Sequence, residues 1–191
     1  MSDPLVLFLE WHAEARREPP INPDAVALAT ATPGGRPSAR IVFYRGIREG
    51  GFSFFTNYDS RKGRELAENP FGALAFYWPH LGRQVRVEGA VVRLSAEESD
   101  AYFQSRPFES QVTAVVSRQS QPLEDADEFQ AEVRELENSN AGNQVLRPGN
   151  WGGFKLMPEV FEFWTRGEHR RHERIVYRRE GDAWRRSRLY P

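Results

Sequence analysis

Alternating polar and apolar side chains restrict the fold of this chain more than any other feature of its sequence. In the run "RQVRVEGAVVRL" (83–94), Gln84, Arg86 and Glu88 alternate with Val85 and Val87. A period of two is typical of a half-buried β-strand. Other strand-like runs lie between turns that contain Gly or Pro, at 25–31, 39–45, 51–57, 72–78, 151–157, 160–166, 169–179 and 183–189.

These runs predict about seven or eight strands in an antiparallel arrangement. The runs 39–45 and 51–57 are separated by the glycine-containing loop "GIREGG", which predicts a hairpin. The run 72–78 is expected to pair in the same way with 83–94.

Helical patterns are interspersed with the strands. Ser2 or Asp3 can cap the first helix, and Ser95 with Glu98 forms a capping box before another. Helices are predicted at 2–18, 60–70, 96–105, 107–117 and 122–138, with a loop at 139–150. The mixture predicts one domain over residues 1–191, of the α+β, mainly β class, around an antiparallel barrel or sheet.

Composition removes several classes of function. The chain has 191 residues, 26 Lys and Arg against 27 Asp and Glu, and a net charge of −1, which argues against nucleic acid or an anionic membrane as partner. There is no cysteine, so disulfides and thiolate metal sites are excluded, and the composition suits a reducing compartment such as the cytoplasm. No apolar run approaches the length of a membrane span, and no signal-peptide pattern is present.

A basic pair opens the helix at 60–70. Arg61 and Lys62 lie in its first turn, where cations oppose the helix dipole. A phosphate bound by the backbone amides would explain them, and an ordinary exposed basic pair is the alternative.

Three polar residues recur at helical spacing in "YFQSRPFESQ" (102–111). Tyr102, Arg106 and Ser110 are four residues apart and would share a face of one continuous helix, although Pro107 makes that continuity uncertain. A phenol, a guanidinium and a hydroxyl suit a second phosphate site. The alternative is a partly solvated helix face.

The run "EHRRHER" (168–174) is the most basic part of the chain. As a strand it would place Arg170, His172 and Arg174 on one face. The flanking guanidiniums repel cations, so no metal site is predicted, whereas an anionic, flat ligand would fit. A solvated edge strand is the alternative. Nucleophile and nucleotide motifs such as GXSXG, GXXXXGK[ST] and GXGXXG are absent.

Seven motifs in order resemble the pyridoxamine (pyridoxine) 5′-phosphate oxidase family across residues 3–191. They are "RIVFYRG", "FFTNYDSRKGREL", "RQVRVEG", "YFQSRPFESQ", "VSRQSQ", "WGGF" and "EFWTRGEHRRHERIVY". The resemblance implies an FMN-binding split β-barrel with flanking helices, which acts as a cytoplasmic homodimer with active sites at the interface. It implies an oxidoreductase of vitamin B6 metabolism that converts pyridoxamine or pyridoxine 5′-phosphate to pyridoxal 5′-phosphate. In this reaction O2 is the acceptor and H2O2 a product.

The resemblance also implies roles for individual residues. FMN contacts are expected from Arg40, Ile41, Val42, Phe43, Tyr44, Arg45, Phe55, Thr56, Arg61, Lys62, Gln84, Gln119, Ser120, Trp164 and Arg174. The substrate phosphate is expected to be held by Arg45, Tyr102, Arg106 and Ser110. Arg170 and His172 correspond to the catalytic pair that binds the pyridine ring and its phenolic oxygen.

Three positions depart from the family pattern, and two other functions remain open. Arg45 stands where Lys is usual, Phe55 stands where Tyr is common, and Asn22 stands where a carboxylate is frequent. One alternative is a related FMN oxidase of the phenazine-biosynthesis type, a branch that tends to lose the substrate-phosphate residues. The other is a flavin- or pyridoxal-phosphate-binding module without catalysis. The presence of Tyr102, Arg106 and Ser110 favours the vitamin B6 substrate.

Overall fold

Nine strands pair into one antiparallel sheet in a computed structural model that describes residues 3–17, 22–140 and 143–191. The strands are β1 Ala25–Ala31, β2 Pro37–Phe43, β3 Ile47–Arg48, β4 Gly51–Asn57, β5 Phe71–Trp78, β6 Arg83–Arg93, β7 Trp151–Thr165, β8 Glu173–Glu180 and β9 Ala183–Arg188. The helices are α1 Pro4–Ala15, α2 Arg61–Glu68, α3 Ala96–Gln104, α4 Phe108–Val116 and α5 Ala126–Ser139. The predicted mixture of helices and antiparallel strands is therefore confirmed.

The sheet is open and follows the order β2-β1-β5-β6-β7-β4-β3, with β8 bonded to β7 and β9 bonded to β8. Strand β7 is the longest, with 15 residues, and it pairs with three other strands. Strand β6 pairs along most of one edge, while β4 and β8 pair with the first and last parts of β7 on the other. The first part therefore meets β4 and the last part meets β8.

The prediction of two strands at 151–157 and 160–166 is wrong, because β7 runs through both. Pro158 lies opposite Gly89 at a bulge, where the register shifts between Glu88 and Gly89. A side chain at Gly89 would place its Cβ 1.9 Å from the carbonyl oxygen of Met157, so the two strands touch here. A bulge accepts a proline that has no N–H to donate, and the strand continues past it.

The predicted hairpin between 39–45 and 51–57 is wrong for most of its length, because the two runs bond only next to the loop, where the Arg45 N–H donates to the Ser53 carbonyl at 2.8 Å. Strand β2 pairs with β1 along its whole length, and the Tyr44 N–H continues that edge by donating to the carbonyl of Asp24 at 2.8 Å. Strand β4 pairs instead with the short β3 and with β7. The predicted pairing of 72–78 with 83–94 is confirmed by β5 and β6.

Most helix boundaries follow the predicted caps. The Asp3 side chain accepts the Leu5 N–H, and Ser95 and Glu98 form the predicted capping box of α3. Helix α5 begins at Ala126 rather than at 122, because Asp125 caps it. Three predicted features lie outside the described residues: the alternative cap at Ser2, the helix end at 18 and the middle of the 139–150 loop. No described helix is long and apolar enough to cross a membrane.

The core is rich in aromatic rings and lies between the sheet and α1. Phe8 of α1 is fully buried, with ring centroids 4.7 Å from Phe52 and 4.9 Å from Phe76. On β6, the side chains of Val85 and Val87 are buried, as the alternation predicts. Helix α1 therefore holds the strands together through Phe8.

Substitution of Phe8 by Ala should lower the free energy of unfolding by about 3–5 kcal/mol, because the ring leaves a cavity in a close-packed core. Urea denaturation followed by circular dichroism measures the change. Leu9→Ala is the control on the same helix, since Leu9 is 43% exposed and its loss should cost less than about 1 kcal/mol. Equal losses for the two variants would contradict this account of the core.

Candidate functional site

A cleft of about 480 Å3 opens between strands β2 and β4 and helices α3 and α4. Eleven residues that the sequence indicates as site residues line it: Ile41, Val42, Phe43, Arg45, Phe55, Thr56, Lys62, Tyr102, Arg106, Ser110 and Gln119. Asn57, Pro107, Thr113, Ala114, Ser117 and Trp151 complete the lining and were missed by the sequence reasoning. Four of them lie in the quoted motifs, which was the signal that could have indicated them: Asn57 in "FFTNYDSRKGREL", Pro107 in "YFQSRPFESQ", Ser117 in "VSRQSQ" and Trp151 in "WGGF".

The three residues at helical spacing reach the cleft from two helices. Helix α3 ends at Gln104 and α4 begins at Phe108, so the chain is not one continuous helix. Tyr102, Arg106 and Ser110 nevertheless line the same cleft. The break at Pro107 changes the geometry that the spacing predicts, but the three side chains remain together.

Stacked aromatic rings form one wall. The Phe55 and Tyr102 rings lie 3.7 Å apart between centroids at an interplanar angle of 17°, and the Tyr102 and Trp151 planes differ by 2°. The Arg106 guanidinium lies 4.6 Å from the centroid of the Trp151 ring. Trp151 therefore supports both Tyr102 and Arg106 from behind.

Arg106 is short of partners. Its Nη1 is buried and makes no hydrogen bond among the described residues. Burial lowers the pKa of Arg106, and the positive charge of Arg45 lowers it further against the opposing effect of Tyr102. A buried guanidinium nitrogen without an acceptor is costly, so this side of the cleft is suited to an anion.

Lys62 makes a second cationic point in the cleft. It is 8% exposed, and its Nζ donates to Thr56 Oγ1 at 2.9 Å, Ser60 Oγ at 3.0 Å and Gln119 Oε1 at 2.9 Å. All three acceptors are neutral. Burial and the charge of Arg40 lower the pKa of Lys62 from 10.5 to about 8.

The start of α2 brings further predicted residues to Lys62. Ser60 caps the helix, and the backbone N–H of Arg61 donates to Ser120 Oγ at 3.1 Å. Gly63 lies so close to Tyr58 that an added Cβ would be 2.1 Å from the Tyr58 carbonyl oxygen. The Gly63 packing therefore holds the start of α2 against the chain that follows β4, and the Arg61 hydrogen bond joins it to the loop that carries Ser120.

Arg40 and Tyr44 have side chains outside the cleft, although both belong to the predicted flavin segment. Arg40 Nη1 donates to Leu28 O at 3.1 Å and to Thr30 Oγ1 at 2.6 Å. Tyr44 is 6% exposed in the aromatic core, with its ring 5.6 Å from that of Phe8. Burial raises the pKa of Tyr44 to about 12.

A second group of predicted residues lies at the far end of β7. Gln84 is opposite Trp164 in the sheet, and Trp164 is opposite Arg174. The His172 and Trp164 rings are 4.6 Å apart between centroids. None of these residues lines the cleft described above. We call this set, together with Arg170, the β7-end group.

The prediction that Arg170, His172 and Arg174 share one strand face is wrong. Residues Glu168–Arg170 form a 3-10 turn, and β8 begins only at Glu173. His169 and Arg170 have positive φ values of 51° and 63°. These positive φ values exclude the extended backbone that a strand needs. The turn is tight, because a Cβ at Gly167 would lie 2.0 Å from Arg171 O.

Two family models match the chain. Residues 12–140 match the family model described as pyridoxamine 5′-phosphate oxidase. Residues 151–191 match the model described as the pyridoxine 5′-phosphate oxidase C-terminal dimerisation region. The chain belongs to the pyridoxamine 5′-phosphate oxidase family. The predicted family is therefore confirmed.

Similar relatives cover almost the whole chain. A pyridoxine/pyridoxamine 5′-phosphate oxidase of Rubrobacter xylanophilus is 52% identical over 99% of this chain and 87% of its own length. One of Gluconobacter oxydans is 46% identical over 100% of this chain and 95% of its own.

Two solved structures share the fold. PhzG from Burkholderia lata, solved with tetrahydrophenazine-1-carboxylic acid, has a TM-score of 0.95 at 34% identity and covers 100% of this chain and 94% of that one. A pyridoxamine 5′-phosphate oxidase-related, FMN-binding protein from Nostoc punctiforme has a TM-score of 0.79 at 20% identity, with 100% of both chains covered. These likenesses confirm the predicted split-barrel fold class.

The residues around Lys62 fit the phosphate of FMN. Arg40, Arg61 and Lys62 are three cations, and Glu65 is the one carboxylate that pairs with any of them among the described residues. Three positive charges and one negative charge leave a surplus of two, which matches the charge of about −2 on a phosphate monoester. The apolar side chains of Ile41, Val42 and Phe55 also line the cleft.

The titration of Lys62 should be visible in the stability of the protein without flavin. The pKa of Lys62 is about 8 in the folded protein and near 10.5 in the unfolded chain. Between pH 8 and pH 10.5 the unfolded chain therefore binds more protons than the folded protein does, so the free energy of unfolding rises with pH in this range. We expect wild type to gain stability relative to Lys62→Met between pH 7 and pH 10. Urea unfolding at both pH values measures the difference, and a constant difference would show that Lys62 titrates normally.

Proposed function

We propose that this protein is an FMN-dependent oxidase that converts pyridoxamine 5′-phosphate or pyridoxine 5′-phosphate to pyridoxal 5′-phosphate. The cleft carries the proposal, because Arg45, Lys62 and Arg106 line it while no Asp or Glu among the described residues does. Such a cleft favours ligands with negative charge. The names of relatives 46–52% identical to the chain agree with the predicted reaction and enzyme class.

FMN, when bound, accepts two electrons from the substrate and passes them to O2, which gives H2O2. Family membership and the FMN-binding neighbour bear out the predicted cofactor. The chain itself contributes orientation and charge. Arg61, Lys62, Thr56, Gln119 and Ser120 would hold the cofactor phosphate at the start of α2.

The second cationic point would bind the substrate phosphate. Arg106 lines the cleft with its Nη1 buried and without a partner among the described residues, and Tyr102 and Ser110 add hydroxyl groups to the same cleft. Arg45 lies close enough to Arg106 to affect its pKa. Two cationic points in one cleft match a pair of phosphorylated ligands, one cofactor and one substrate.

His172 would bind the phenolic oxygen of the pyridine ring. The Gly167 N–H lies 3.2 Å from His172 Nδ1, which makes Nδ1 the acceptor. The neutral imidazole then carries its hydrogen on Nε2, and that N–H can donate to a phenolate. Arg170, exposed beside it in the tight turn, would cover the ring and stabilise negative charge.

The chain would act as a homodimer, and one face of the sheet is suited to the interface. Residues directly opposite one another in neighbouring strands have their side chains on the same face of the sheet. Ala27 lies opposite Ile41 on one side and Ala75 on the other, so these three side chains share a face. We call the apolar part of it the alanine face: Ala25, Ala27, Ala29, Ala73, Ala75, Ile41, Phe43 and Tyr77. Its large side chains are 46–64% exposed, and residues 151–191 match a dimerisation region.

Two subunits related by a two-fold axis would complete each site. Trp151 and Trp164 are separated by 13 residues of β7 (151 to 164), a span of up to roughly 40 Å along a strand. The cleft is at one end of that strand and the β7-end group is at the other. A symmetric contact would bring the β7-end group of one subunit to the cleft of its partner. We place this reaction in the cytoplasm and assign it to one domain.

A phenazine-type oxidase is the second candidate, and the TM-score of 0.95 with PhzG favours it. The identity of 34% is lower than the 52% with the Rubrobacter relative. The higher identity favours the vitamin B6 substrate, and Arg106, Tyr102 and Ser110 together offer a guanidinium and two hydroxyl groups to its phosphate.

Aerobic incubation with pyridoxine 5′-phosphate and with pyridoxamine 5′-phosphate should yield the aldehyde and an equal amount of H2O2. The protein loaded with FMN is used, and the aldehyde is measured by its absorbance. Arg106→Ala should raise KM by at least about tenfold, because a charged hydrogen bond to phosphate is lost. A yellow protein that forms no aldehyde from either compound would contradict the proposal.

Mixed dimers test whether the two subunits share each site. Arg106→Ala and Arg170→Ala subunits with different affinity tags are co-expressed and the mixed dimer is isolated. In a shared site, Arg106 comes from one subunit and Arg170 from its partner. The mixed dimer therefore has one site with both native arginines and one site with neither, so its activity should be about half that of wild type.

The matched control is a dimer of one wild-type subunit and one subunit that carries both substitutions. A shared site leaves this dimer almost inactive, because each site lacks one arginine. A site made within one chain would reverse both results.

A further inference from the structure

Glu65 is a buried carboxylate beside the proposed phosphate site. It is 5% exposed and lies on α2, one turn after Arg61. Its Oε1 accepts from Arg61 Nε at 2.9 Å. Its Oε2 accepts from the hydroxyls of Thr30 and Ser38, each at 2.5 Å, and Arg40 Nη2 lies 3.4 Å from the same oxygen. Glu65 therefore connects α2 to β1 and β2.

The surroundings keep this carboxylate ionised. Burial by itself would raise the pKa of Glu65, but hydrogen bonds from Ser38, Thr30 and Arg61 lower it to about 2. The four donors, which are Thr30, Ser38, Arg40 and Arg61, offset the free-energy cost of burying the charge. The carboxylate in turn restricts the positions of these four side chains.

We infer that Glu65 is a positioning residue for the cofactor phosphate, an inference that rests on the proposed function. It holds Arg61 through one oxygen and Arg40 through the other. The Arg61 side chain is 59% exposed, and its two Nη atoms make no hydrogen bond among the described residues. Glu65 thus fixes Nε of Arg61 and leaves the two Nη atoms available to phosphate oxygens.

Arginine side chains have many rotamers, so an arginine already held by a carboxylate loses less freedom when phosphate binds. An opposing effect exists, because a carboxylate also repels phosphate. The donors around both oxygens of Glu65 spread its charge and separate it from the open side of Arg61. Positioning should therefore outweigh repulsion.

The test compares FMN with riboflavin, which has the same ring system but no phosphate. Flavin-free protein is titrated with each, and quenching of flavin fluorescence gives the two dissociation constants. Glu65→Ala should reduce the preference for FMN over riboflavin by at least about tenfold, the lower range for a hydrogen bond to a charged group. Riboflavin affinity should stay within about twofold of wild type, because the change acts only on the phosphate.

Two further variants make the result specific. Glu68→Gln removes an exposed carboxylate from the same helix and should leave the preference unchanged. Glu65→Gln keeps one oxygen acceptor, so it can hold one arginine and not both. It should reduce the preference by at least about threefold but less than Glu65→Ala does.

Each outcome decides the inference. An unchanged preference in Glu65→Ala, equal losses for both flavins, or tighter FMN binding in Glu65→Gln would overturn it. If Glu65→Ala does not fold, Glu65→Gln decides by the same measure. Failure of the proposed function looks different, because wild type itself would then show no preference for FMN over riboflavin.

Discussion

The pairing of β7 along both of its edges is the constraint on which the rest of the structure depends. The first part of β7 positions β4, and with it Phe55 and Thr56 of the cleft. The last part positions β8 and Arg174. A single strand therefore fixes two groups of ligand-binding candidates and also keeps them apart. Dimer formation is the simplest way to join groups that one strand separates.

Uncompensated positive charge is the second organising element. Elsewhere the chain pairs its buried ions, as Glu162 does with Arg86 at 3.1 Å and Arg174 at 2.8 Å. Lys62 and Arg106 are exceptions, with neutral partners or an unpartnered nitrogen. Because buried charges without counter-ions are costly, stability has been lost at these two points. Bound phosphate groups would restore the balance, so the residues that lower the stability of the protein without ligand would also provide its affinity for phosphate.

The sequence was informative where local rules decide the structure. The capping box at Ser95, the strand at 25–31 and the basic first turn of α2 follow from residue types within a few positions. Strand partners were harder, because pairing depends on contacts distant in sequence. Pro158 also resembles a strand end until its position opposite Gly89 is known. The turn at Glu168–Arg170 could not be inferred from a period of two, since it depends on positive φ values at His169 and Arg170, which are unusual for residues other than glycine.

Two departures from the family pattern, at Phe55 and Arg45, have a common physical explanation in the cleft. Phe55 lies flat on Tyr102 at 3.7 Å, a contact that needs the ring and not a hydroxyl. Arg45 lies 5.1 Å from the centroid of the Phe43 ring, and a planar guanidinium stacks on an aromatic face in a way that an ammonium does not. Stacking therefore holds the Arg45 charge beside Arg106, so the change from Lys alters how the cation is fixed while the charge presented to a phosphate remains.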